Sequence, residues 1–249
     1  MPEPLITVKN LVTHYGEKKI LDGVSLEVYA GEILVIIGGS GCGKTTLLKH
    51  MTGLLKPTSG TICYNGADIT RLDEDELARL QQTIGIAFQS GALFNSMTVG
   101  DNVALPLREY GNMEKRLIDA MVKLKLSLVG LSESRTLLPE ELSGGMKKRA
   151  GLARALALDP PVVYFDEPSA GLDPITAAGL DQLILSLNKM LNITFIIVTH
   201  ELDSIRTIAH RAVMLHGGKA IFTGTIAEAE RCPDPRVRMF FERCASESD

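Results

Sequence analysis

Residues 38–46 read GGSGCGKTT, and they stand between an apolar run at 33–37 and a patterned stretch at 45–54. A continuous apolar run that ends in glycines is typical of a strand buried on both faces, whereas 45–54 has the apolar spacing of a helix. Glycines at such a junction let the backbone turn so that successive N–H groups point inward at phosphate oxygens. The stretch fits G-x-x-x-x-G-K-[ST], which predicts a phosphate-binding loop for a nucleoside triphosphate.

Individual residues of this loop have distinct expected tasks. The positive end of the helix that begins near Lys44 is aimed at the phosphates. We expect Lys44 to reach the β- and γ-phosphates and the hydroxyl of Thr45 to bind Mg²⁺. A glycine-rich turn that binds nothing is the alternative, but the lysine, the hydroxyl and the strand–helix context argue against it. The predicted nucleotide-binding residues are Gly38, Gly39, Ser40, Gly41, Cys42, Gly43, Lys44, Thr45 and Thr46.

Two carboxylates follow another apolar run, because residues 162–165 read VVYF and precede Asp166, Glu167 and Pro168. Side chains alternate along a strand, so both acids can serve one site only if the strand ends there, and Pro168 supports that ending. Asp166 is then expected to hold Mg²⁺, directly or through water, and Glu167 to polarise an attacking water as general base. The alternative is a solvated acidic turn.

Strands and helices alternate along much of the chain. Runs at 162–165 and 195–198 predict buried strands, and 177–191 between them has helical spacing. This rhythm predicts an α/β fold with a mostly parallel sheet, whereas the first thirty residues alternate and turn like an antiparallel β region. The sequence also predicts a helix over 150–158, which Asp159-Pro160-Pro161 would end.

Composition excludes several classes of protein. The chain has 249 residues, of which 45% are apolar and 22% charged, and its net charge is −4, so no general attraction to nucleic acid is expected. Its apolar runs are shorter than the roughly 18 to 20 residues of a membrane span, and the first residues do not resemble a signal peptide. We therefore expect a cytosolic protein whose membrane role, if it has one, comes through a partner.

The cysteines and the last residues carry smaller predictions. Cys42, Cys63, Cys232 and Cys244 do not form a Cys-x-x-Cys pair, so reduced thiols are expected rather than a disulfide framework or a zinc site. Residues 245–249 are expected to be disordered.

A short stretch makes the resemblance to a known family specific. Residues 142–146 read LSGGM, about twenty residues before the acidic pair, and they resemble the LSGGQ signature of ATP-binding cassette (ABC) ATPases. Four further elements fall in that family's order, namely Tyr15, Gln89, the stretch SAGLD at 169–173, and His200. The chain therefore resembles the family over essentially its whole length. The resemblance implies a P-loop NTPase fold, an ABC nucleotide-binding domain over 1–249. It would have a RecA-like core with an antiparallel β subdomain (1–88 and 160–249) and a helical subdomain (89–159).

The resemblance also implies roles for single residues. Tyr15 would stack on the adenine of ATP, Gln89 and Asp166 would complete the Mg²⁺ site with Thr45, and Glu167 would activate water. His200 would contact the γ-phosphate and help to position that water. Ser143 and Gly145 would bind ATP held by the opposite subunit, in an isologous homodimer that sandwiches two nucleotides. Taken singly, Tyr15 could be surface packing, Gln89 a turn cap and His200 a structural histidine.

Finer stretches narrow the resemblance within the family. Residues 88–99, 102–109 and 234–241, with Met146 at the end of the signature, resemble the ATPases of bacterial mammalian-cell-entry (MCE) lipid transporters, including the Mla phospholipid system. This implies a peripheral subunit at the cytoplasmic face of the inner membrane that powers phospholipid transport between bacterial membranes. Its implied partners are an integral-membrane permease, an MCE-domain lipid-binding protein and a small STAS-domain subunit, and none is a nucleic acid. The apolar residues Ala92, Leu93, Phe94 and Met97 would suit a groove for a partner helix, or would be ordinary core.

Other functions remain open at this point. The nearest alternative is an ABC transporter ATPase for another, polar substrate. A soluble ABC scaffold ATPase and a P-loop kinase outside the family are further alternatives, although the LSGGM stretch argues against the kinase. The basic residues Lys147, Lys148, Arg149 and Arg154 are expected to form a solvated helix face rather than a nucleic-acid patch.

Overall fold

The computed structural model describes residues 3–111 and 113–242, and that part of the chain contains ten strands and nine α-helices. The strands are β1 (Ile6–Tyr15), β2 (Lys18–Val28), β3 (Ile33–Gly38), β4 (Ser59–Tyr64), β5 (Ala67–Asp68), β6 (Ile84–Ala87), β7 (Val162–Asp166), β8 (Thr194–Val198), β9 (Arg211–His216) and β10 (Lys219–Thr225). The helices are α1 (Lys44–Met51), α2 (Glu74–Gln81), α3 (Val99–Tyr110), α4 (Lys115–Leu128), α5 (Gly144–Ala155), α6 (Pro174–Leu191), α7 (Leu202–Ile208), α8 (Ile226–Glu230) and α9 (Pro235–Glu242).

The larger sheet is the mostly parallel one that the sequence predicts. Its strand order is β10-β9-β3-β8-β7-β6, and only β10 runs antiparallel to its neighbour. Every residue of β3 and of β8 is buried, because helices and a second sheet cover the two faces. This burial explains why both strands read as continuous apolar runs rather than as alternating ones.

Alternate residues of each central strand belong to different cores. In β3, Ile33, Val35 and Ile37 pack into a core with side chains of α3 to α7. Leu34 and Ile36 point to the other face, where the core is built with α1 and with β1, β2 and β4. Because successive side chains of a strand point to opposite faces, one sheet contributes to the cores on both of its sides.

The smaller sheet is antiparallel, with the order β2-β1-β4-β5. Leu21 and Val24 of β2 and Ile62 of β4 lie fully buried against the central strands, while neighbouring side chains face solvent. The antiparallel β region that the sequence predicts is confirmed, and it extends to Asp68.

The helices α3, α4 and α5 lie between β6 and β7 in the chain. α5 packs against α3 and α4 and also against β6, so one helix joins this helical part to the central sheet. A boundary of the helical subdomain at 89 and 159 stays a prediction, because α5 belongs to both packing layers.

The structure corrects one local prediction and confirms another. The helix expected over 150–158 is α5, which begins at Gly144 and ends at Ala155, because Ser143 caps its first turn and Leu156 closes it. Cys42, Cys63 and Cys232 are free thiols as predicted. The predictions for Cys244 and for residues 245–249 lie outside the described residues.

Helices of the described ranges, 3–111 and 113–242, all fall short of the length or the apolar character that crossing a membrane requires.

Candidate active site

Four parallel strands of the larger sheet end at the same edge, and each leads into a predicted site residue. Open parallel sheets bind their ligands at the carboxyl ends of the strands. Pairing aligns Ile36 of β3 with Val198 of β8, and Val198 with Asp166 of β7. The edge thus carries, in spatial order, the phosphate loop after β3, His200 after β8, Asp166 and Glu167 at the end of β7, and Gln89 after β6.

The phosphate loop turns back on itself and holds Lys44 in place. The Nζ of Lys44 donates to the carbonyl oxygen of Gly38 at 2.8 Å and to that of Gly39 at 3.1 Å. The N-cap of α1 is Gly43, which has no side chain to bond the first N–H groups of the helix. These N–H groups and the ammonium group therefore form a concentrated anion site. The thiol of Cys42 lies in the same loop, and burial raises its pKa, which keeps it protonated.

Gly38 is the position of this loop where a side chain is least tolerable. Its φ is 144°, and a Cβ added there would lie 2.3 Å from the carbonyl oxygen of Leu215. Gly38→Ala is therefore expected to lower the free energy of unfolding by at least about 2 kcal/mol, measured by denaturant titration. Gly39→Ala is the matched control, because a Cβ on Gly39 meets nothing within 4 Å, and its expected change is under about 0.5 kcal/mol. Equal effects of the two changes would contradict this interpretation of the loop.

Asp166 has the properties expected of a magnesium ligand. Its Oδ1 is buried and, among the described residues, has no hydrogen-bond partner. Burial, and then the charge of Glu167, raise the pKa of Asp166, while Lys44 and the hydroxyl of Thr45 act in the opposite direction. Within the described ranges no group of three His, Cys, Asp or Glu side chains could hold a metal by itself. Mg²⁺ commonly combines one or two carboxylates with phosphate oxygens, so Asp166 and Thr45 fit this cation together with a nucleotide.

The raised pKa of Asp166 has a testable consequence for stability. The folded protein binds a proton on Asp166 more tightly than the unfolded chain does, so ionisation of this carboxyl at neutral pH destabilises the fold. Asp166→Asn is therefore expected to raise the denaturation midpoint at pH 7 in the presence of EDTA. The difference should shrink as the pH falls through the raised pKa of Asp166 toward the ordinary carboxyl range, because the wild-type carboxyl then takes up its proton and the destabilisation is lost. Mg²⁺ with ATP should stabilise the wild type more than the variant. A lower denaturation midpoint of the variant than of the wild type at pH 7 would disprove the proposed destabilisation by ionised Asp166.

Glu167 and His200 are in direct contact. The Nδ1 of His200 lies 3.0 Å from Oε1 and 2.9 Å from Oε2 of Glu167, and the geometry of a hydrogen bond is met at Oε1. Glu167 is only 15% exposed, whereas His200 is 58% exposed, so the carboxylate sits at the bottom of the site and the imidazole at its mouth. The Nε2 of His200 lies 3.5 Å from the neighbouring carboxylate of Glu201.

The backbone of Glu167 is unusual, since its φ is +48°. A non-glycine residue in this left-handed region is strained, and such strain is concentrated at functional sites. β7 ends at Asp166, so the predicted end of the strand is confirmed. The N–H of Glu167 still donates to the carbonyl of Val198 at 2.8 Å, which attaches the residue to β8.

Gln89 and Tyr15 lie at the periphery of this arrangement. Gln89 is exposed in the turn after β6, and Tyr15 is 49% exposed at the end of β1. Within residues 3–111 and 113–242 no side-chain hydrogen bond joins either residue to the phosphate loop, so their roles stay predictions. The hairpin of Tyr15 does approach the loop, because a Cβ on Gly43 would lie 2.6 Å from Leu21 of β2.

The proposed second anion site, Ser143 and Gly145, lies at the start of α5, away from the loop. Ser143 is exposed and caps α5, where its Oγ accepts from the N–H of Met146 at 3.3 Å. A Cβ on Gly145 would lie 2.4 Å from the methyl group of Thr176, so this glycine also allows α5 and α6 to pack closely. Asp173, at the start of α6, accepts hydrogen bonds from the N–H groups of Ile175 and Thr176 and is a helix cap.

The basic residues of α5 are not the solvated face that the sequence predicts. Lys148 is 5% exposed, and its Nζ donates to the carbonyl oxygen of Glu167 at 3.0 Å. Arg149 donates to the carbonyl of Val129, and Arg154 donates to those of Gly91 and Ala92. The prediction is wrong for these three residues because α5 is packed on several sides, and their side chains bond main-chain carbonyl groups of neighbouring segments. The missed signal is the spacing of Lys148 with Gly144 and Gly151, which places it on the small-residue face of the helix.

An apolar groove of about 760 Å³ opens beside Gln89, between β6 and α3. Ala92 and Phe94 line it, whereas Leu93 packs against the core, so only part of the predicted apolar strip faces the groove. The buried Asn102 fixes this segment, because it accepts from the N–H of Phe94 and donates to three carbonyl oxygens within 94–98. The other main lining residues are Phe88, Leu105, Pro106, Tyr110 and Leu158.

Comparisons with known proteins agree with this geometry. The profile of the family described as ABC transporter matches residues 21–170. The chain is 44% identical to the intermembrane phospholipid transport system ATP-binding protein MlaF of Haemophilus influenzae, over 97% of this chain and 92% of that protein. It is 42% identical to the probable ribonucleotide transport ATP-binding protein mkl of Mycobacterium leprae, over 94% of this chain and 68% of that one. A solved dimeric ATP-binding cassette in a post-hydrolysis state, bound to ADP and Pi, matches with a TM-score of 0.80 and 31% identity. That match covers 89% of this chain and 98% of the cassette.

Proposed function

The chain belongs to the ABC transporter family of ATP-binding proteins, and we propose that it is the ATP-hydrolysing subunit that powers phospholipid transport between bacterial membranes. Its fold is that of the ABC cassettes, which confirms the predicted fold class. One observation carries the ATPase activity. A phosphate loop, Asp166 with its buried Oδ1 and the Glu167–His200 pair lie together at one edge of a parallel sheet.

The residues of this edge can divide the hydrolysis of ATP among them. Lys44 and the N–H groups of the loop bind the β- and γ-phosphates, and Asp166 and Thr45 hold Mg²⁺. When bound, Mg²⁺ neutralises negative charge on the phosphate oxygens. Glu167 takes a proton from the water that attacks the γ-phosphorus, while the bond to the ADP oxygen breaks. His200 orients Glu167 through Nδ1, and its exposed ring can reach the γ-phosphate.

The second anion site supports a homodimer. Ser143 is exposed at the N-cap of α5 rather than beside the loop, and Gly145 lies buried in the first turn behind it, so the site suits a nucleotide held by another copy. In an isologous pair, the start of α5 in each copy contacts the nucleotide that the other copy holds, so both nucleotides are contacted at once. The dimeric arrangement of the solved cassette with ADP and Pi supports this pairing.

The apolar groove is the proposed docking surface for the permease. Phe88, Phe94 and Tyr110 are exposed around it, and an amphipathic helix laid into the groove would cover them. The proposed location is the cytoplasmic face of the inner membrane, where a permease couples the dimer to lipid movement. An MCE-domain protein that carries the lipid, and a small STAS-domain subunit, complete the proposed assembly. The resemblance to MCE transporters supports both.

The substrate assignment is tested by transport itself. The complex purified from native membranes in detergent should contain an integral-membrane permease, and in proteoliposomes it should move a labelled phospholipid only with ATP. The name of one relative, a probable ribonucleotide transport ATP-binding protein, suggests a ribonucleotide as the competing substrate. ATP-driven movement of a labelled ribonucleotide without phospholipid transfer would assign the chain to a transporter for a polar substrate.

Phe94→Asp tests the docking surface. A carboxylate in the apolar groove should prevent helix docking, so the variant should copurify with less than about a tenth of the wild-type permease. ATP affinity of the isolated subunit should stay within about twofold, because Phe94 lies outside the phosphate loop. Leu54→Asp is the matched control, since Leu54 and Phe94 are both 52% exposed and Leu54 lies outside the groove. Normal permease recovery with Phe94→Asp would exclude this groove.

A further inference from the structure

Lys148 is a buried cation that the proposed hydrolysis mechanism does not use. It lies on α5 and is 5% exposed, and its Nζ donates to the main-chain carbonyl oxygen of Glu167 at 3.0 Å. Burial lowers the pKa of Lys148, and the charge of Glu167 acts in the opposite direction. An apolar side chain of similar length would fill this position without the desolvation of an ammonium group. The lysine therefore supplies something that packing alone does not require.

The group that Lys148 bonds is the strained peptide of the proposed general base. Glu167 has φ +48°, and its N–H is attached to β8 through Val198 at 2.8 Å. Its carbonyl oxygen accepts from Lys148 and, at 3.3 Å, from the N–H of Ala170. The sheet thus holds one side of the residue, and α5 holds the other. A shift of α5 would be passed to the backbone from which the Glu167 carboxylate extends.

The same helix begins at the second anion site. Ser143 caps α5, and Lys148 lies five residues further on, which is about 7 Å along the helix axis. In the proposed dimer, Ser143 and Gly145 bind the nucleotide of the opposite subunit, whereas Glu167 serves the nucleotide of its own chain. α5 therefore spans from one nucleotide site to the catalytic carboxylate of the other.

We propose that Lys148 is a positioning residue that couples the two nucleotide sites, by fixing Glu167 when α5 seats on the nucleotide of the partner subunit. This inference rests on the proposed dimeric ATPase and adds to it a physical link between its two sites. The link predicts that occupation of one site raises hydrolysis at the other. It also predicts that loss of the ammonium group lowers turnover more than it weakens nucleotide binding.

The central test replaces Lys148 with Met, which keeps the length of the side chain and removes its charge. Steady-state ATP hydrolysis of the permease-bound dimer should show kcat reduced at least about tenfold, within the range typical of coupled sites. KM for ATP should change less than about threefold, and the Hill coefficient should fall to 1. Lys148→Arg retains a donor and should recover most of kcat. Lys147→Met, one residue earlier on the same helix, should behave as wild type.

A double substitution separates positioning from general structural damage. If Lys148 acts through Glu167, then adding Lys148→Met to Glu167→Gln should not lower the residual turnover further. An additional loss of the same size as in the wild-type background would overturn the proposal. Wild-type kcat in Lys148→Met would also overturn it, as would an equal loss in Lys147→Met. If Lys148→Met does not fold, Lys148→Arg decides the question. A Hill coefficient and kcat near the wild-type values in Lys148→Arg support the proposal, and the loss of both overturns it.

Failure of this inference can be told apart from failure of the proposed function. The Glu167→Gln protein with MgATP is examined by light scattering before any Lys148 variant is compared. Absence of a nucleotide-dependent dimer there refutes the proposed dimeric ATPase, whatever Lys148 does. A normal dimer combined with wild-type kinetics of Lys148→Met refutes only the coupling through Lys148.

Discussion

Glu167→Gln is expected to lower the ATPase rate of the dimer by at least about a hundredfold, because general base catalysis typically contributes a factor of about 10² to 10⁴. The amide has the shape of the carboxylate but cannot accept a proton from the attacking water. Glu167 is only 15% exposed and contacts His200, so the amide should take the place of the carboxylate at the bottom of the site. Phosphate release at saturating MgATP measures the effect.

The same variant should bind MgATP at least as well as the wild type. Burial, and then the charge of Glu167, raise the pKa of the neighbouring Asp166, so removing that charge favours the ionised Asp166 that is proposed to hold Mg²⁺. The nucleotide should therefore stay in place, and light scattering should detect a long-lived dimer with MgATP. Glu133→Gln, at an exposed position of the helical part, is the control and should keep wild-type turnover. Turnover of Glu167→Gln within about tenfold of wild type would disprove the general-base role.

Lys44→Met is expected to weaken the affinity for MgATP by about a hundredfold. Hydrogen bonds to charged groups contribute about 1.5 to 3 kcal/mol each, and the loss of two to phosphate oxygens corresponds to at least that factor. Met has a similar length and is apolar, so the fold should persist while the cation is lost. Titration calorimetry measures the affinity directly, and the shift of the thermal midpoint by MgATP should shrink in parallel.

Lys49→Met is the matched control for this prediction. Lys49 lies on the same helix and is exposed, and its charge also acts on Asp166, but among the described residues it makes no hydrogen bond to the loop carbonyls that Lys44 bonds. Its loss changes the net charge equally, so a general electrostatic effect would weaken both variants alike. Equal affinities of the two variants would show that Lys44 has no specific contact with phosphate.

Part of the site was predictable because it depends on local backbone chemistry. A buried strand, a run of glycines, a lysine and a helix form a phosphate loop wherever they occur in that order. The end of β7 at Asp166 follows from a proline two residues later. Each of these features needs only residues a few positions apart.

The contact between Glu167 and His200 could be expected only from the family resemblance. These residues are 33 positions apart, and they meet because β7 and β8 are neighbours in the sheet. Strand order depends on how helices pack across the sheet, which no local pattern reports. Tertiary contacts also decide which residues of the predicted apolar strip face the groove. Asn102 fixes the segment so that Ala92 and Phe94 line the groove and Leu93 packs against the core.

The sequence by itself determined the α/β class, the phosphate loop, the acidic pair and the signature, because each depends on backbone geometry or on the chemistry of adjacent residues. Only the tertiary structure decided that Lys148 is buried beneath Glu167 and that Arg154 bonds the chain after Gln89. Lysine and arginine are usually exposed, and their burial requires acceptors supplied by distant segments. A pattern along one helix cannot show which of its faces such acceptors will cover.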